Sequence, residues 1–122
     1  MFVRGIRGAI TVEHNDEAEI LQATKELLDA IIMQNQLQPE DICCVFITVT
    51  QDLDATFPAR AIRSISGWEL VPLMCSLEIP VKNSLQKCIR LMVLINTTKS
   101  QDEIVHVYLN EAKRLRPDLS GQ

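Results

Sequence analysis

Residues of one helix face recur every three or four positions between Asp16 and Asn35. They are Ile20, Thr24, Leu27, Leu28, Ile31 and Ile32. Asp16 with Glu19 three residues later resembles a capping box, in which side chains accept the free backbone N–H groups of a helix start. The pattern predicts an amphipathic helix that begins at Asp16 and ends near Asn35, before Pro39.

Elsewhere the apolar residues form short runs between polar, Pro or Gly positions, which is typical of strands. These runs cover residues 2–12, 42–49, 68–71, 73–79 and 88–95. Residues 57–63 predict a short helix, with Pro58 tolerated in its first turn. Ser100 and Glu103 form a second capping-box pattern, which predicts a main helix through about Glu111.

Strands interleaved with two main helices predict an α+β fold: a single domain over residues 1–122 around one mixed sheet. Two helices are too few to cover both faces of such a sheet. An uncovered aliphatic face favours oligomerisation. Gly5 and Gly8 in the first strand predict a place where another backbone or a ligand comes close.

Composition narrows the class of protein. A length of 122 residues suits one domain, and a net charge of −4 argues against a nucleic-acid partner. No apolar run is long enough to suggest a membrane span, and the first residues lack the apolar core of a secretory signal, so we expect a cytoplasmic protein. Cysteines 43, 44, 75 and 88 form no Cys-x-x-Cys pair, which predicts reduced thiols used mainly for packing.

Arg90 is the most informative candidate, because it interrupts the apolar run at residues 88–95. A guanidinium stays charged and is costly to bury unpaired, so an anion must meet it. Glu78, between Leu77 and Ile79, is one candidate partner. Glu78 could instead accept a hydrogen bond from a ligand hydroxyl, and the sequence leaves both interpretations open.

Motifs for covalent or metal chemistry are missing from the sequence. There is no Gly-rich phosphate loop and no nucleophile elbow, and His14 and His106 lack metal-ligand spacing. Arg7 could be a solvated strand residue, and Tyr108, on the second predicted helix, could be a packed tyrosine. Taken together, isolated arginines, one carboxylate and one tyrosine favour binding and electrostatics.

Six short segments, in this order, carry a resemblance to a known family. They are Arg4-Gly-Ile-Arg-Gly-Ala9, Phe57-Pro-Ala59, Ser66-Gly-Trp68, Lys87-Cys-Ile-Arg90, His106-Val-Tyr-Leu109 and Leu115-Arg-Pro-Asp-Leu119. Together they resemble the monofunctional chorismate mutases of the AroH class. The resemblance implies a pseudo-α/β-barrel homotrimer with active sites between subunits. It also implies Claisen rearrangement of chorismate to prephenate, on the route to phenylalanine and tyrosine, without metal or cofactor.

The resemblance also implies roles for individual residues. Arg90 would stabilise the ether oxygen, with Arg7 on a substrate carboxylate and Glu78 on the ring hydroxyl. Further substrate-binding residues would be Phe57, Arg60, Arg63, Cys75, Tyr108, Leu115 and Arg116. Arg60 stands where the family commonly has lysine. The tail from about residue 114 is expected to be mobile until ligand binds.

Two other functions fit the same residues. The first is a non-catalytic trimer that binds a small metabolite between subunits, since one fold hosts many functions. The second is a structural assembly protein in which Arg90 pairs internally with Glu78. The combination of Arg7, Glu78, Arg90 and Tyr108 favours the enzyme, because a binding module needs no cation at an ether oxygen.

Overall fold

A computed structural model describes residues 1–115, in which a mixed five-stranded sheet packs against one long helix. The strands are β1 (Phe2–Thr11), β2 (Ile42–Val49), β3 (Leu73–Leu77), β4 (Cys88–Thr97) and β5 (Val107–Leu109). The helices are α1 (Glu17–Asn35) and α2 (Ala59–Arg63), and 3₁₀ turns lie at Pro39–Asp41, Gln101–Glu103 and Asn110–Arg114. The predicted α+β class, with a mixed sheet and two helices, is confirmed.

The strand order is β3-β2-β4-β1-β5, with β4 at the centre. β4 runs antiparallel to β1 and β2, whereas the outer strands β3 and β5 run parallel to their neighbours. One row of paired residues crosses four strands: Thr48 pairs with Arg90, Arg90 with Ala9, and Ala9 with Tyr108. Side chains in one row point to the same face, so this register brings residues far apart in sequence together.

Helix α1 begins and ends where the sequence predicts. Asp16 is the N-cap, and its carboxylate accepts the backbone N–H of Glu19 at 3.0 Å. The Glu19 carboxylate accepts the N–H groups of Glu13 and His14, at 2.6 and 3.2 Å, rather than that of Asp16. Gln36 ends the helix in the left-handed conformation, with φ 55°. The reciprocal cap is therefore displaced outward by two to three residues.

The two faces of the sheet differ, as the small number of helices predicts. Alternate residues of the central strands, such as Ile6, Ile47 and Val93, are fully buried with the apolar face of α1 in the main core. The opposite face, called here the open face, carries Arg7, Phe46, Thr48, Arg90 and Met92. Phe46 is 43% exposed and Met92 37% exposed, so apolar side chains reach the surface there.

The predicted helix from Ser100 to Glu111 is wrong. Both halves of the capping box form, but they close one 3₁₀ turn at Gln101–Glu103. The next residues form β5, paired in parallel with Gly8, Ala9 and Ile10 of β1. Sheet pairing and burial of Val107 and Tyr108 outweigh local helix signals here.

The predicted strand at residues 68–71 is also wrong, because these residues form a turn after α2. The N–H of Trp68 donates to the carbonyl of Ile65 at 3.0 Å, and that of Val71 donates to the carbonyl of Trp68 at 3.2 Å. Trp68 is 2% exposed and belongs to the core, so its apolar character reflects packing rather than strand pairing. Within residues 1–115, no helix is both long and apolar enough to cross a bilayer.

Candidate active site

Arg90, Glu78 and Thr48 form a connected group on the open face. The N–H of Glu78 donates to the carbonyl of Val49 at 2.9 Å, which fixes the residue just beyond β3. The Thr48 hydroxyl donates to Oε2 of Glu78, and Oε1 of Glu78 lies 3.5 Å from a terminal guanidinium nitrogen of Arg90. Glu78 and Arg90 are therefore in contact, as the ion-pair interpretation predicts.

The ion pair does not enclose Arg90. Its side chain is 41% exposed, and that of Glu78 is 25% exposed. A tight bidentate pair would bring two nitrogens to two oxygens at about 2.7–2.9 Å. A single contact at 3.5 Å leaves guanidinium donors available to an added anion.

These residues line a cavity of about 230 Å³ on the open face. Its lining includes Arg7, Glu78, Arg90 and Tyr108, the four residues whose combination favours an enzyme. Two cations, one carboxylate and one phenol thus surround a space suited to a small anionic molecule. Phe46 and Met92 supply apolar surface to the same cavity.

The backbone of Arg7 is hydrogen-bonded to the side chain of His106. The N–H of Arg7 donates to Nδ1 of His106 at 2.9 Å, so His106 accepts at that nitrogen. His106 lies just before β5 rather than on a helix, and this contact joins β1 to the segment that leads into Tyr108. Among residues 1–115, no carboxylate lies within ion-pair distance of the Arg7 guanidinium, which therefore remains available to a ligand.

Tyr108 is 3% exposed and packs with Ala9, Cys88 and Ala112. Its hydroxyl is buried and has no hydrogen-bond partner among the described residues. A buried hydroxyl without a partner is costly, so it is suited to donate to a ligand at the cavity. Burial raises the pKa of the neighbouring Cys88 thiol to about 11, despite the opposing charge of Arg90.

Other residues implied by the resemblance lie elsewhere. Phe57, Arg60 and Cys75 line a second cavity of about 600 Å³, which shares no lining residue with the first. Cys75 pairs with the buried Ile47, so its side chain points away from the open face. Phe57 is 68% exposed, and the exposed Arg63 lies at the end of α2.

Arg60 has partners of its own. A terminal nitrogen donates to Glu17 at 2.6 Å and to the Thr56 hydroxyl at 2.8 Å. Both members of this ion pair are about half exposed. Leu115 packs against the group that contains Tyr108, and Tyr108 in turn lines the first cavity. Arg116 and the predicted mobile tail beyond Leu115 lie outside the described residues.

Thr48 is a polar residue of this cavity that the sequence does not reveal. It stands in an apolar strand without a motif, and its importance depends on the register that places it opposite Arg90. Alternation along β2 gives the only sequence signal, because Cys44, Phe46 and Thr48 must share one face. Within residues 1–115, no three potential metal-ligating side chains cluster.

Comparison with known proteins identifies the family of this chain. Residues 3–119 match the family chorismate mutase type I. The chain is 52% identical over 120 residues to chorismate mutase AroH of Bacillus subtilis (strain 168), covering 98% of this chain and 94% of that protein. It is equally identical to chorismate mutase AroH of Thermus thermophilus, covering 98% of each.

A solved structure of a chorismate mutase from Clostridium thermocellum superposes with a TM-score of 0.87 and 49% identity. The alignment covers 90% of this chain and 97% of that one. The chain belongs to the type I chorismate mutases, the isomerases that rearrange chorismate to prephenate. Its place in the synthesis of aromatic amino acids follows from that reaction.

Proposed function

We propose that this chorismate mutase binds a compact conformer of its substrate at the open face and stabilises the transition state electrostatically. The observation that carries the proposal is the partly exposed Arg90 guanidinium in one cavity with Arg7, Glu78 and Tyr108. The rearrangement is unimolecular, so it requires no nucleophile, general base or cofactor. Positioning and electrostatics must supply the catalysis.

Each residue takes the role that the family resemblance implies, and the charges of the reaction give a physical reason for it. Negative charge grows on the ether oxygen as its bond to carbon breaks, and Arg90 stabilises that charge while it contacts a carboxylate. Arg7 binds a carboxylate, and the Tyr108 hydroxyl, which has no partner in the described part of the chain, donates a further hydrogen bond to one. Glu78 accepts from the ring hydroxyl and faces the positive side of the polarised ring.

A homotrimer completes the site in this proposal. Phe57, Arg60 and Cys75 line a cavity separate from that of Arg90, so one chain does not gather all the candidates. The exposed Phe57 and Leu77 that line this second cavity suit burial against another copy. We propose that Arg63 and Arg116 lie at the rim of the shared cleft, with Leu115 nearby. We also propose that the enzyme acts in the cytoplasm.

Chorismate consumption, followed by ultraviolet absorbance, tests the catalytic roles. Arg90→Ala should slow turnover on the order of 10²–10³-fold, as expected for loss of one preorganised donor. Arg90→Lys keeps the charge but loses the fork, so it should also fail. Near-normal turnover by Arg90→Lys would rule out the bidentate role of Arg90.

Subunit complementation tests the shared site. Arg90→Ala and Phe57→Ala chains, each impaired alone, are unfolded together and refolded as a mixture. A site between subunits regains activity in mixed trimers, because some clefts then hold both wild-type residues. Activity equal to the average of the separate variants, or a sedimentation mass other than three times 13.8 kDa, would contradict the trimeric site.

A further inference from the structure

Glu78 makes one backbone contact and two side-chain contacts. The side-chain contacts divide its carboxylate between Thr48 and Arg90. Its backbone N–H donates to the carbonyl of Val49 at 2.9 Å, which anchors the residue beside the end of β2. The Thr48 hydroxyl occupies Oε2, which leaves Oε1 alone facing Arg90 at 3.5 Å.

This division matters because carboxylate and guanidinium groups match in shape. A glutamate with both oxygens free can close on an arginine through two parallel hydrogen bonds. Such a closed pair would compete with any substrate anion for the same donors. In this molecule Arg90 instead stays 41% exposed, while its neighbour Glu78 remains within ion-pair distance.

We infer that Thr48 is a positioning residue that keeps Glu78 from closing on Arg90 and so preserves the guanidinium for the anionic substrate. The inference rests on the proposed function of Arg90. Thr48 acts through Glu78. Its own backbone pairs with that of Arg90, so the hydroxyl is placed by the same register that places the cation. A β-branched side chain in a strand has few rotamers, which keeps the position of the hydroxyl oxygen constant.

The test compares Thr48→Val, which keeps the shape without the hydroxyl, with Thr48→Ser, which keeps the hydroxyl. Each is made in wild-type and in Glu78→Ala backgrounds. The KM and kcat for chorismate are measured, together with calorimetric binding of prephenate, which needs no turnover. Circular dichroism and thermal unfolding verify the fold of every variant.

Thr48→Val should raise KM and weaken prephenate binding about tenfold, the effect of one hydrogen bond to a charged group. The effect on kcat should be smaller, and Thr48→Ser should restore binding. In the Glu78→Ala background the same Thr48→Val change should have no effect, because no carboxylate is left to close on Arg90.

Equal weakening in both backgrounds would show that Thr48 acts only through packing and would overturn the inference. Unchanged binding by Thr48→Val in the wild-type background would overturn it as well. A wild-type protein that fails to convert chorismate would contradict the proposed function itself. If the wild type is active and Thr48→Val binds prephenate normally, only the role of Thr48 is contradicted.

Discussion

The backbone N–H of Lys87 donates to both carboxylate oxygens of Asp52, at 2.9 and 3.2 Å, immediately before β4 begins. Lys87 adopts a left-handed backbone conformation with φ 50°, which is unfavourable for residues other than glycine. The Thr50 hydroxyl donates to the same carboxylate and accepts the N–H of Cys88 at 3.0 Å. Thr50 and Asp52, which directly follow β2, therefore fix the start of β4, the strand that carries Arg90.

Asp52→Ala should lower the free energy of unfolding by about 1–3 kcal/mol, because it leaves backbone and hydroxyl donors without an acceptor. Turnover should fall too, since Arg90 lies near the start of β4. Urea denaturation and the chorismate assay measure the two effects. Asp29→Ala is the control: within residues 1–115, Asp29 pairs only with Lys25, at 3.3 Å on the surface, and the change should alter stability by less than about 0.5 kcal/mol. Equal losses in both variants would count against a role for Asp52.

Gly8→Ala should destabilise the protein by about 1–3 kcal/mol through overpacking. An added Cβ would lie 2.7 Å from Cδ1 of Ile31 and 3.2 Å from Cδ1 of Leu27, so these packed side chains of α1 would have to shift, and the carbonyl oxygen of Val107 at 3.3 Å limits the space on the other side. Chemical denaturation gives the size of the effect.

Gly5→Ala, on the same strand, is the matched comparison for Gly8→Ala. Its nearest new contact is the flexible Met92 sulfur at 3.3 Å, so its cost should be distinctly smaller. A larger loss at Gly5 than at Gly8 would be inconsistent with the close approach of α1.

Cys88 should make stability fall at alkaline pH. Folding raises the pKa of this buried thiol from its ordinary value of 9.0 to about 11. The unfolded chain therefore loses this proton first, and the free energy of unfolding decreases as pH rises between those values. Denaturation of wild type and Cys88→Ala from pH 8 to 11 should show a shallower decline in the variant. Parallel curves would contradict the assignment.

The start of α1 should weaken in acid. The backbone N–H of Glu13 is the main cause that lowers the pKa of Glu19. A lowered pKa means that Glu19 stabilises the fold above its ordinary titration range and loses that contribution as pH falls through its folded value. Thermal unfolding between pH 7 and pH 3 should show a smaller acid loss for Glu19→Gln than for wild type. Asp16→Ala removes the N-cap and should cost about 1 kcal/mol at neutral pH.

The sequence predicts the elements whose signals are local. The 3.6-residue period of α1 and the apolar runs of β2 and β4 specify their own conformation, and the structure agrees with them. Ser100 and Glu103 show the limit of such signals, because their capping box forms but the residues after it do not continue as a helix. Pairing of Tyr108 with Ala9, distant in sequence, makes that segment a strand instead.

The residues of the candidate site also differ in whether a local sequence signal predicts them. The charge of Arg90 within an apolar run indicates an anion on chemical grounds alone, and family resemblance adds Arg7, Glu78 and Tyr108. The role of Thr48 needs the β2–β4 register, which sequence patterns do not specify. The separation of Phe57 and Cys75 from Arg90 likewise depends on which side of β3 each occupies, and only the assembled sheet shows it.

The position of β1 between β4 and β5 has a consequence for how the protein is made. β1 leaves the ribosome before the other four strands of this sheet, yet both strands that flank it are synthesised after β2 and β3. Until they emerge, the hydrogen-bonding edges of β1 are unpaired and its apolar side chains lack a complete core. Pairings this distant in sequence fold slowly, so the growing chain is most prone to aggregation before β4 and β5 arrive, and chaperone binding to β1 should end when they do.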